Sequence, residues 1–182
     1  MKPSPPNPVK LFIGVLYSDA ERLQAARSRC EEVFGAIDYA SSDYPFDVTD
    51  YYRGEMGWPI RRVFWSFAGL INPDELPRVK LTTNAIEDEL AVDGGRRVNL
   101  DPGYLDYDKA VLASAKYNGQ KIYLADGIYA DLTLRYEKGH FYPYPWSFPD
   151  FKSGIYEKTF LRIRELYKGQ MKRARRASSE NS

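Results

Sequence analysis

The 182-residue chain has few of the residues from which metal centres and nucleophilic sites are most often built. It contains one cysteine, Cys30, and one histidine, His140. A single cysteine excludes an internal disulfide and a cysteine-based zinc site, and a single histidine cannot form a histidine cluster around a metal. His140 follows a Lys-Gly turn without a recognisable orienting partner, which favours an exposed strand position over a catalytic base.

The chain also lacks a strong charge bias and any long apolar segment. Its formal net charge is +1, so the basic bias typical of nucleic-acid-binding proteins is absent from the chain as a whole. No run of about 18 apolar residues occurs, and the proline-rich N-terminus has no signal-peptide pattern. We therefore expect a cytoplasmic protein without a membrane attachment, and the sequence leaves its oligomeric state open.

Tyrosine, by contrast, is abundant, with 15 residues, and hydrophobic residues make up 43% of the chain. The hydrophobic fraction is that of a globular protein, and tyrosine suits half-buried sheet positions and binding surfaces. The length fits one domain. We predict a flexible leader at residues 1–9, a single α+β domain at residues 10–167, and a basic flexible tail at residues 168–182.

The N-terminal part begins with a strand and a helix. Residues 11–17 form the continuous apolar run LFIGVLY, which is typical of a central strand. Ser18 and Glu21 fit a capping box, in which Ser18 accepts a hydrogen bond from the Glu21 amide, and Gly35 is expected to end the helix. Cys30 lies on the apolar face of this helix, where we expect a buried thiol.

The next segments repeat this order. Residues 36–41 and residues 61–71 alternate as strands do, Asn72-Pro73 begins a second helix, and residues 97–100 form a fourth strand. The order indicates a ferredoxin-like βαββαβ core over about residues 10–101. An α/β sandwich with a different strand order is the main alternative.

The C-terminal part extends this core. Asp106 is expected to cap a short helix at residues 107–117, and residues 121–125 and 128–136 are expected to form a hairpin across Asp126-Gly127, the strongest short hairpin signal. A further turn leads into a strand at His140, which makes a meander. The last helix is amphipathic, and its apolar face is formed by Tyr156, Phe160, Ile163 and Tyr167.

Two carboxylates are candidates for catalysis or metal binding. Asp101 is expected where a strand ends, in the string Asp101-Pro102-Gly103-Tyr104. It is a candidate because open α/β sheets place ligands at strand ends. The alternative is an ordinary Pro-Gly turn. Asp131 lies within a predicted strand, where aspartate is unfavourable. It either holds a divalent metal such as Mg²⁺ or a substrate hydroxyl, or it pairs with Arg135 on a solvated face.

The segment at residues 42–59 has no periodicity and is rich in carboxylates and aromatic rings. It is interpreted either as a lid over a ligand, with Gly54 and Gly57 as hinges, or as a self-packed surface loop. Lys116 lies beside the Asn-Gly turn, where it is placed either to meet a phosphate or to be solvated. The ligand-binding candidates are Thr49, Tyr51, Tyr52, Glu55, Tyr104, Lys116 and Tyr129.

Four strings point to a family. PFDVTDYYRGEMG, RRVNLDPGYL, KIYLADGIYADLTLRYEKGHF and WSFPD together resemble the prokaryotic family known as domain of unknown function 4416, over about residues 9–167. The resemblance implies a small, stand-alone, intracellular protein of bacteria or archaea. It also brings the label "GTP-binding", which some members carry, but it supplies no catalytic residues.

The sequence does not support the interpretation of the GTP-binding label as an ordinary P-loop GTPase. A P-loop needs a Gly-rich turn with Lys and Ser or Thr, so that backbone amides surround the phosphates. The chain contains no GxxxxGK[ST] motif and no Asn-Lys-x-Asp motif to read guanine. A nucleotide bound to this chain is therefore held in some other way.

The sequence leaves two functions open. The first is a protein that binds, or acts on, a nucleotide or another phosphorylated small molecule, at a site where Asp101 and Tyr104 meet the 42–59 segment, with Asp131 nearby. The second is a non-enzymatic RNA- or protein-interaction module that uses exposed tyrosines and a basic C-terminal run. The basic residues assigned to RNA are Lys172, Arg173, Arg175 and Arg176. Whether the protein is an enzyme stays open.

Overall fold

The computed structural model describes residues 1–47 and 53–180, in which the chain forms nine β-strands, five α-helices and one 3-10 helix. The strands are β1 (Val9–Tyr17), β2 (Ile37–Ala40), β3 (Tyr44–Pro45), β4 (Arg61–Ile71), β5 (Val98–Leu105), β6 (Lys109–Ser114), β7 (Ile122–Ala125), β8 (Ile128–Glu137) and β9 (His140–Pro143). The helices are α1 (Ala20–Phe34), α2 (Arg53–Met56), α3 (Leu76–Glu89), α4 (Pro149–Lys152) and α5 (Glu157–Glu180), and the 3-10 helix is Pro73–Glu75. Within the described residues, no helix is long and apolar enough to cross a membrane.

The strands form one large antiparallel sheet, so the predicted α+β class is confirmed. The strand order is β2-β4-β1-β5-β6-β8-β7, with β3 paired to β4 and β9 paired to β8. The sheet is therefore larger than the four strands predicted for the core.

Strand β1 lies in the middle of the molecule, and all nine of its residues are buried. Leu11 and Ile13 point to one face, where they pack in a core cluster with α1 and α3. Phe12 points to the opposite face and packs against Phe160 of α5. Because helices cover both faces, β1 is apolar throughout, as its sequence run predicts. We refer to the two sides as the α1/α3 face and the α5 face.

The predicted caps of α1 are half right. Asp19, not Ser18, caps the helix, because its carboxylate accepts from the Glu21 amide at 2.9 Å and from the Arg22 amide at 3.1 Å. Ser18 instead donates to the carbonyl oxygen of Met56. Gly35 ends the helix with φ +87°, a conformation that favours glycine.

The expectation that the chain turns or ends a strand at Asp101 is wrong, because β5 continues to Leu105. Pro102 is tolerated inside this strand because its nitrogen points away from β1, and β6 pairs with β5 only from Gly103 onwards. Gly103 is required by close packing, since a Cβ there would lie 2.4 Å from the carbonyl oxygen of Val111.

The predicted helix at residues 107–117 is also wrong, because this segment forms strand β6. Asp106 does not cap a helix. Its carboxylate accepts from the amides of Asp108 at 2.8 Å and Lys109 at 2.9 Å, and this turn joins β5 to β6 as a hairpin.

The later elements agree with their prediction. The β7–β8 hairpin turns at Asp126 (φ +52°) and Gly127 (φ +77°), and the apolar face of the last helix is buried as expected. Helix α5 continues to Glu180, so the basic segment from Lys168 to Arg176 is helical.

Candidate functional site

The Asp101 carboxylate is held by a protein cation and lies within the sheet on the α5 face. Arg62, which is only 5% exposed, places Nη2 3.3 Å from Oδ2 of Asp101 and Nη1 2.8 Å from Oδ2 of Asp150. The Tyr156 hydroxyl donates to the same oxygen of Asp150 at 3.0 Å. The Arg62 guanidinium also lies over the ring of Phe46, with its carbon 5.0 Å from the ring centre. These residues form a buried ionic network.

The register of the sheet explains this network. Strand alternation places Arg62 on the α5 face of β4, opposite Leu16 of β1. Gly14, the next β1 residue on the same face, lies between Phe64 of β4 and Asp101 of β5. The Phe64 ring covers it, since a Cβ at Gly14 would lie 3.0 Å from Cε1 of Phe64. Three buried side-chain atoms of the strands on this face have no hydrogen-bond partner within residues 1–47 and 53–180, namely Arg62 Nε, Asn99 Nδ2 and Asp131 Oδ1.

Asp131 is buried and pairs with a lysine. It is 5% exposed, and its Oδ2 lies 3.6 Å from Nζ of Lys121, which also donates to Oγ of Ser114 at 2.8 Å. The alternative of pairing with Arg135 on a solvated face is wrong, because Arg135 pairs with Glu137. Burial raises the pKa of the Asp131 carboxyl, and nearby Lys121 opposes this shift.

Across the described residues there is no group of three or more His, Cys, Asp or Glu side chains placed to hold a metal ion. The residues predicted as metal ligands, Asp101 and Asp131, lie on the same face of β5 and β8, which β6 separates. Each has a cationic partner from the protein itself.

Replacing Asp131 by Asn is expected to change how stability depends on pH. Because the folded-state pKa of Asp131 is raised, the folded protein binds this proton more tightly than the unfolded chain does. Its contribution to stability is therefore fully present below the unfolded pKa and is lost as pH rises through the folded pKa. The variant lacks this loss, so the free energy of unfolding of Asp131→Asn relative to the wild type should rise with pH above about 4.

The measurement is urea unfolding of both proteins at closely spaced pH values. Asp126→Asn, at the exposed turn of the same hairpin, is the control that removes one carboxylate without altering a buried group. If the difference in the free energy of unfolding between the wild type and Asp131→Asn stays constant with pH, the raised pKa of Asp131 is contradicted.

The structure does not bring the other candidates together. Tyr104 points to the α1/α3 face of β5, whereas Asp101 points to the α5 face. The Tyr104 side chain packs in a cluster with Val111. Glu55 is bound by Arg96, whose Nε lies 2.7 Å from Oε1, and this hydrogen bond lowers the pKa of Glu55. Tyr129 contacts the rings of two exposed tyrosines, one in β7 and one between β6 and β7, and Lys116 lies exposed beyond the end of β6. Thr49, Tyr51 and Tyr52 lie outside the described residues.

A cleft beside α5 is the feature that sequence reasoning missed. It has a volume of about 410 Å³ and is lined by Tyr107 and by four cationic side chains of α5. The cations are Lys168, Lys172, Arg175 and Arg176. Their spacing places them on one side of a helix, and we call this cavity the basic cleft. Of the residues assigned to RNA, Arg173 is not part of its lining and lies instead near Lys10.

Three of the four cations of the basic cleft are not neutralised by carboxylates of the described residues. Among the residues that the structure describes, Lys168, Lys172 and Arg175 form no ion pair. The Arg164 side chain, one turn earlier, positions the aromatic wall by donating from Nε to the carbonyl oxygen of Tyr107 at 2.9 Å. The Tyr107 ring contacts the ring of Tyr167, with ring centres 4.9 Å apart.

A second cavity lies against the same tyrosine. It has a volume of about 350 Å³, and we call it the tyrosine pocket. Its lining is Pro6, Asn7, Val9, Pro73, Tyr104, Asp106, Tyr107, Asp108, Lys109 and Tyr167. Burial, with Tyr107 nearby, raises the pKa of the Tyr167 phenol to about 12, and burial also raises that of Tyr104. Both hydroxyls are therefore protonated at neutral pH.

Of the features that form the basic cleft, the sequence shows only the basic run of α5. The spacing of Lys168, Lys172 and Arg175 is that of one helical face. Tyr107 carries no such signal, because local pattern places it in a helix and its approach to α5 depends on the β5–β6 hairpin.

Comparisons with known proteins gave one match. No curated protein and no solved structure matches the chain. A family model described as "Domain of unknown function (DUF4416)" matches residues 7–167. The matched range contains nearly all of the tyrosine pocket and ends at Tyr167, immediately before the cations of the basic cleft. Since it covers most of the sequence, the chain belongs to the DUF4416 family.

Proposed function

We propose that the protein binds a phosphorylated small molecule, such as a nucleotide, in the basic cleft. The observation that carries the proposal is that four cations of α5 line one concave surface, with no ion pair for three of them among the described residues. Like charges one turn apart on a helix repel each other. An anion in the cleft removes this repulsion and accepts charge-assisted hydrogen bonds, which are the strong ones.

The aromatic wall supports a ligand with a planar group. Tyr107 lines the cleft beside the cations; its carbonyl oxygen accepts from Arg164 and its ring contacts that of Tyr167, so it needs little reorganisation to receive a stacked base. Base–aromatic stacking contributes about 1–3 kcal/mol per base in single-strand-binding proteins. The arrangement differs from a P-loop, because side-chain cations of a helix surround the anion instead of the amides of a Gly-rich turn.

Replacing Lys172 and Arg175 together by Ala is expected to abolish most nucleotide binding. Hydrogen bonds to charged groups contribute about 1.5–3 kcal/mol each, so the double variant should bind ATP or GTP at least about 100-fold more weakly in calorimetric titrations. Arg173→Ala is the matched control on the same helix, since Arg173 does not line the cleft. Equal losses in both variants, or no loss in the double variant, would contradict the proposal.

RNA binding is a second candidate, favoured by the exposure of the cations along α5. Affinity for a short single-stranded RNA should then fall steeply with salt, and the slope of log affinity against log salt should become shallower by about 1.4 when two cations are removed. Fluorescence anisotropy between about 50 and 200 mM salt measures this slope. An affinity that does not depend on salt would reject the RNA interpretation.

We also propose a ferredoxin-like arrangement for the core. The order β2-β4-β1-β5, with α1 and α3 packed in one cluster on one face, supports it. An experimental structure with another strand order would contradict it. The presence of a single, buried cysteine supports a cytoplasmic location, which fractionation of the producing cell tests.

A further inference from the structure

Tyr107 lines both the basic cleft and the tyrosine pocket, so the two cavities are adjacent. The two cavities differ in charge. The cleft carries four cations, whereas the pocket carries Asp106, Asp108 and Lys109 together with tyrosine hydroxyls. Each volume lies in the range of small-molecule sites. A single ligand that spans Tyr107 would therefore have an anionic end and a neutral end.

The pocket offers specific groups for the neutral end. The Asp106 carboxylate is occupied by the turn and by Lys109, and the Tyr167 hydroxyl donates to the carbonyl oxygen of Pro8 at 2.9 Å. The Asp108 carboxylate and the Tyr104 hydroxyl have no hydrogen bond within the described part of the chain. A carboxylate and a phenol are an acceptor and a donor, which is what a hydroxyl group of a ligand needs.

The charges also fix the direction in which the ligand lies. A phosphate in the pocket would face Asp106 and Asp108, and this repulsion disfavours it. A phosphate in the cleft faces cations only. The anionic end therefore lies against α5 and the neutral end beside the β5–β6 turn.

We infer that the ligand is a phosphomonoester of a hydroxyl-bearing molecule, such as a sugar phosphate or a nucleotide, with its phosphate in the basic cleft and its hydroxyl-bearing part in the tyrosine pocket. This inference rests on the proposed function, because it assumes the phosphate site at α5. It adds Asp108 and Tyr104 as the residues that set specificity. Asp108 accepts from a ligand hydroxyl, and Tyr104 donates to one.

The N-terminal segment forms part of this site. Pro6 and Asn7 line the pocket, and the hydrogen bond from Tyr167 to Pro8 fixes the chain immediately after them. The Asn7 side-chain amide adds a donor and an acceptor to the lining. The leader thus contributes to the pocket wall.

The test compares three probes, inorganic phosphate, ribose 5-phosphate and AMP, on the wild type and on the double variant Asp108→Asn, Tyr104→Phe. Calorimetric titration of the wild type should show ribose 5-phosphate at least about tenfold tighter than inorganic phosphate, because a hydrogen bond to a charged group such as the Asp108 carboxylate contributes about 1.5–3 kcal/mol. The double variant should lose that tenfold preference and bind inorganic phosphate as the wild type does. Tyr123→Phe, at the exposed edge of the sheet, is the control and should change nothing.

The possible outcomes distinguish a failure of the tyrosine pocket as a ligand site from a failure of the phosphate site in the basic cleft. If no probe binds, the phosphate site is absent and both fail. If all three probes bind equally and the double variant has no effect, the basic cleft stands and the tyrosine pocket is not a ligand site, which overturns the inference. If AMP binds more tightly than ribose 5-phosphate, the ligand is a nucleotide; equal affinities indicate a sugar phosphate. Thermal unfolding of the double variant confirms that it is folded.

Discussion

Gly103→Ala is expected to destabilise the protein by about 3 kcal/mol or more, the upper end of what overpacking costs. A Cβ at this position would lie 2.4 Å from the carbonyl oxygen of Val111 and 2.7 Å from Cζ of Phe12. The first of these is a backbone atom of β6, which cannot move without disturbing the β5–β6 ladder. Phe12 is held against Phe160 of α5, so its ring has little room to retreat.

Gly69→Ala is the matched control, because Gly69 is also a strand glycine and no atom lies within 4 Å of its added Cβ. We expect its free energy of unfolding to change by less than about 1 kcal/mol. Urea unfolding followed by circular dichroism measures both variants. Equal effects at the two glycines would show that the close approach of β5 and β6 at Gly103 is not as described.

Arg62→Met is expected to cost about 3–5 kcal/mol, because it leaves a buried carboxylate without its partner. Asp150 is 2% exposed, and its Oδ2 accepts a hydrogen bond from Nη1 of Arg62 at 2.8 Å. The neighbouring Arg61 provides the control. Its ion pair with Asp43 is exposed, with 45% of the Arg61 side chain accessible, so Arg61→Met should cost less than about 1 kcal/mol.

A second variant separates the loss of charge pairing from the loss of packing. In Arg62→Met, Asp150→Leu both members of the buried pair become apolar, and such replacements are often neutral or stabilising. The double variant should therefore recover most of the stability that Arg62→Met loses. If it is less stable than the single variant, the cost arises from the shape of the Arg62 side chain and not from an unpaired charge.

Local patterns predict the parts of the fold that local physics determines. The apolar run at residues 11–17, the glycine after α1 and the Asp126-Gly127 turn each act over a few residues, and all three are confirmed. The segment at residues 107–117 is rich in alanine and lysine, which favour a helix. It forms a strand because Val111 and Leu112 are buried on opposite faces between β5 and β8, and this burial outweighs propensity.

The candidate site is harder to predict because its contacts join distant parts of the chain. The sequence marks Asp101 as a carboxylate in an unusual place, but its partner Arg62 lies 39 residues away. Arg62 in turn meets Asp150, which lies 88 residues from it. Tyr107 reaches the cations of α5 only because a hairpin returns the chain beside that helix. Such pairings depend on strand register, which no local motif encodes.

The central position of β1 has a consequence for synthesis of the chain. This strand pairs Val9 with Ile71 and Lys10 with Leu105, and Phe12 is covered by Phe160. At about 5–20 residues per second, β1 waits roughly 5–20 s after its own synthesis before its neighbour β5 is made. During that interval β5 and α5 are not yet made, so one edge of β1 and its α5 face stay uncovered. Nascent chains that stop before Leu105 should therefore be held by chaperones or aggregate, whereas chains that extend through α5 should not.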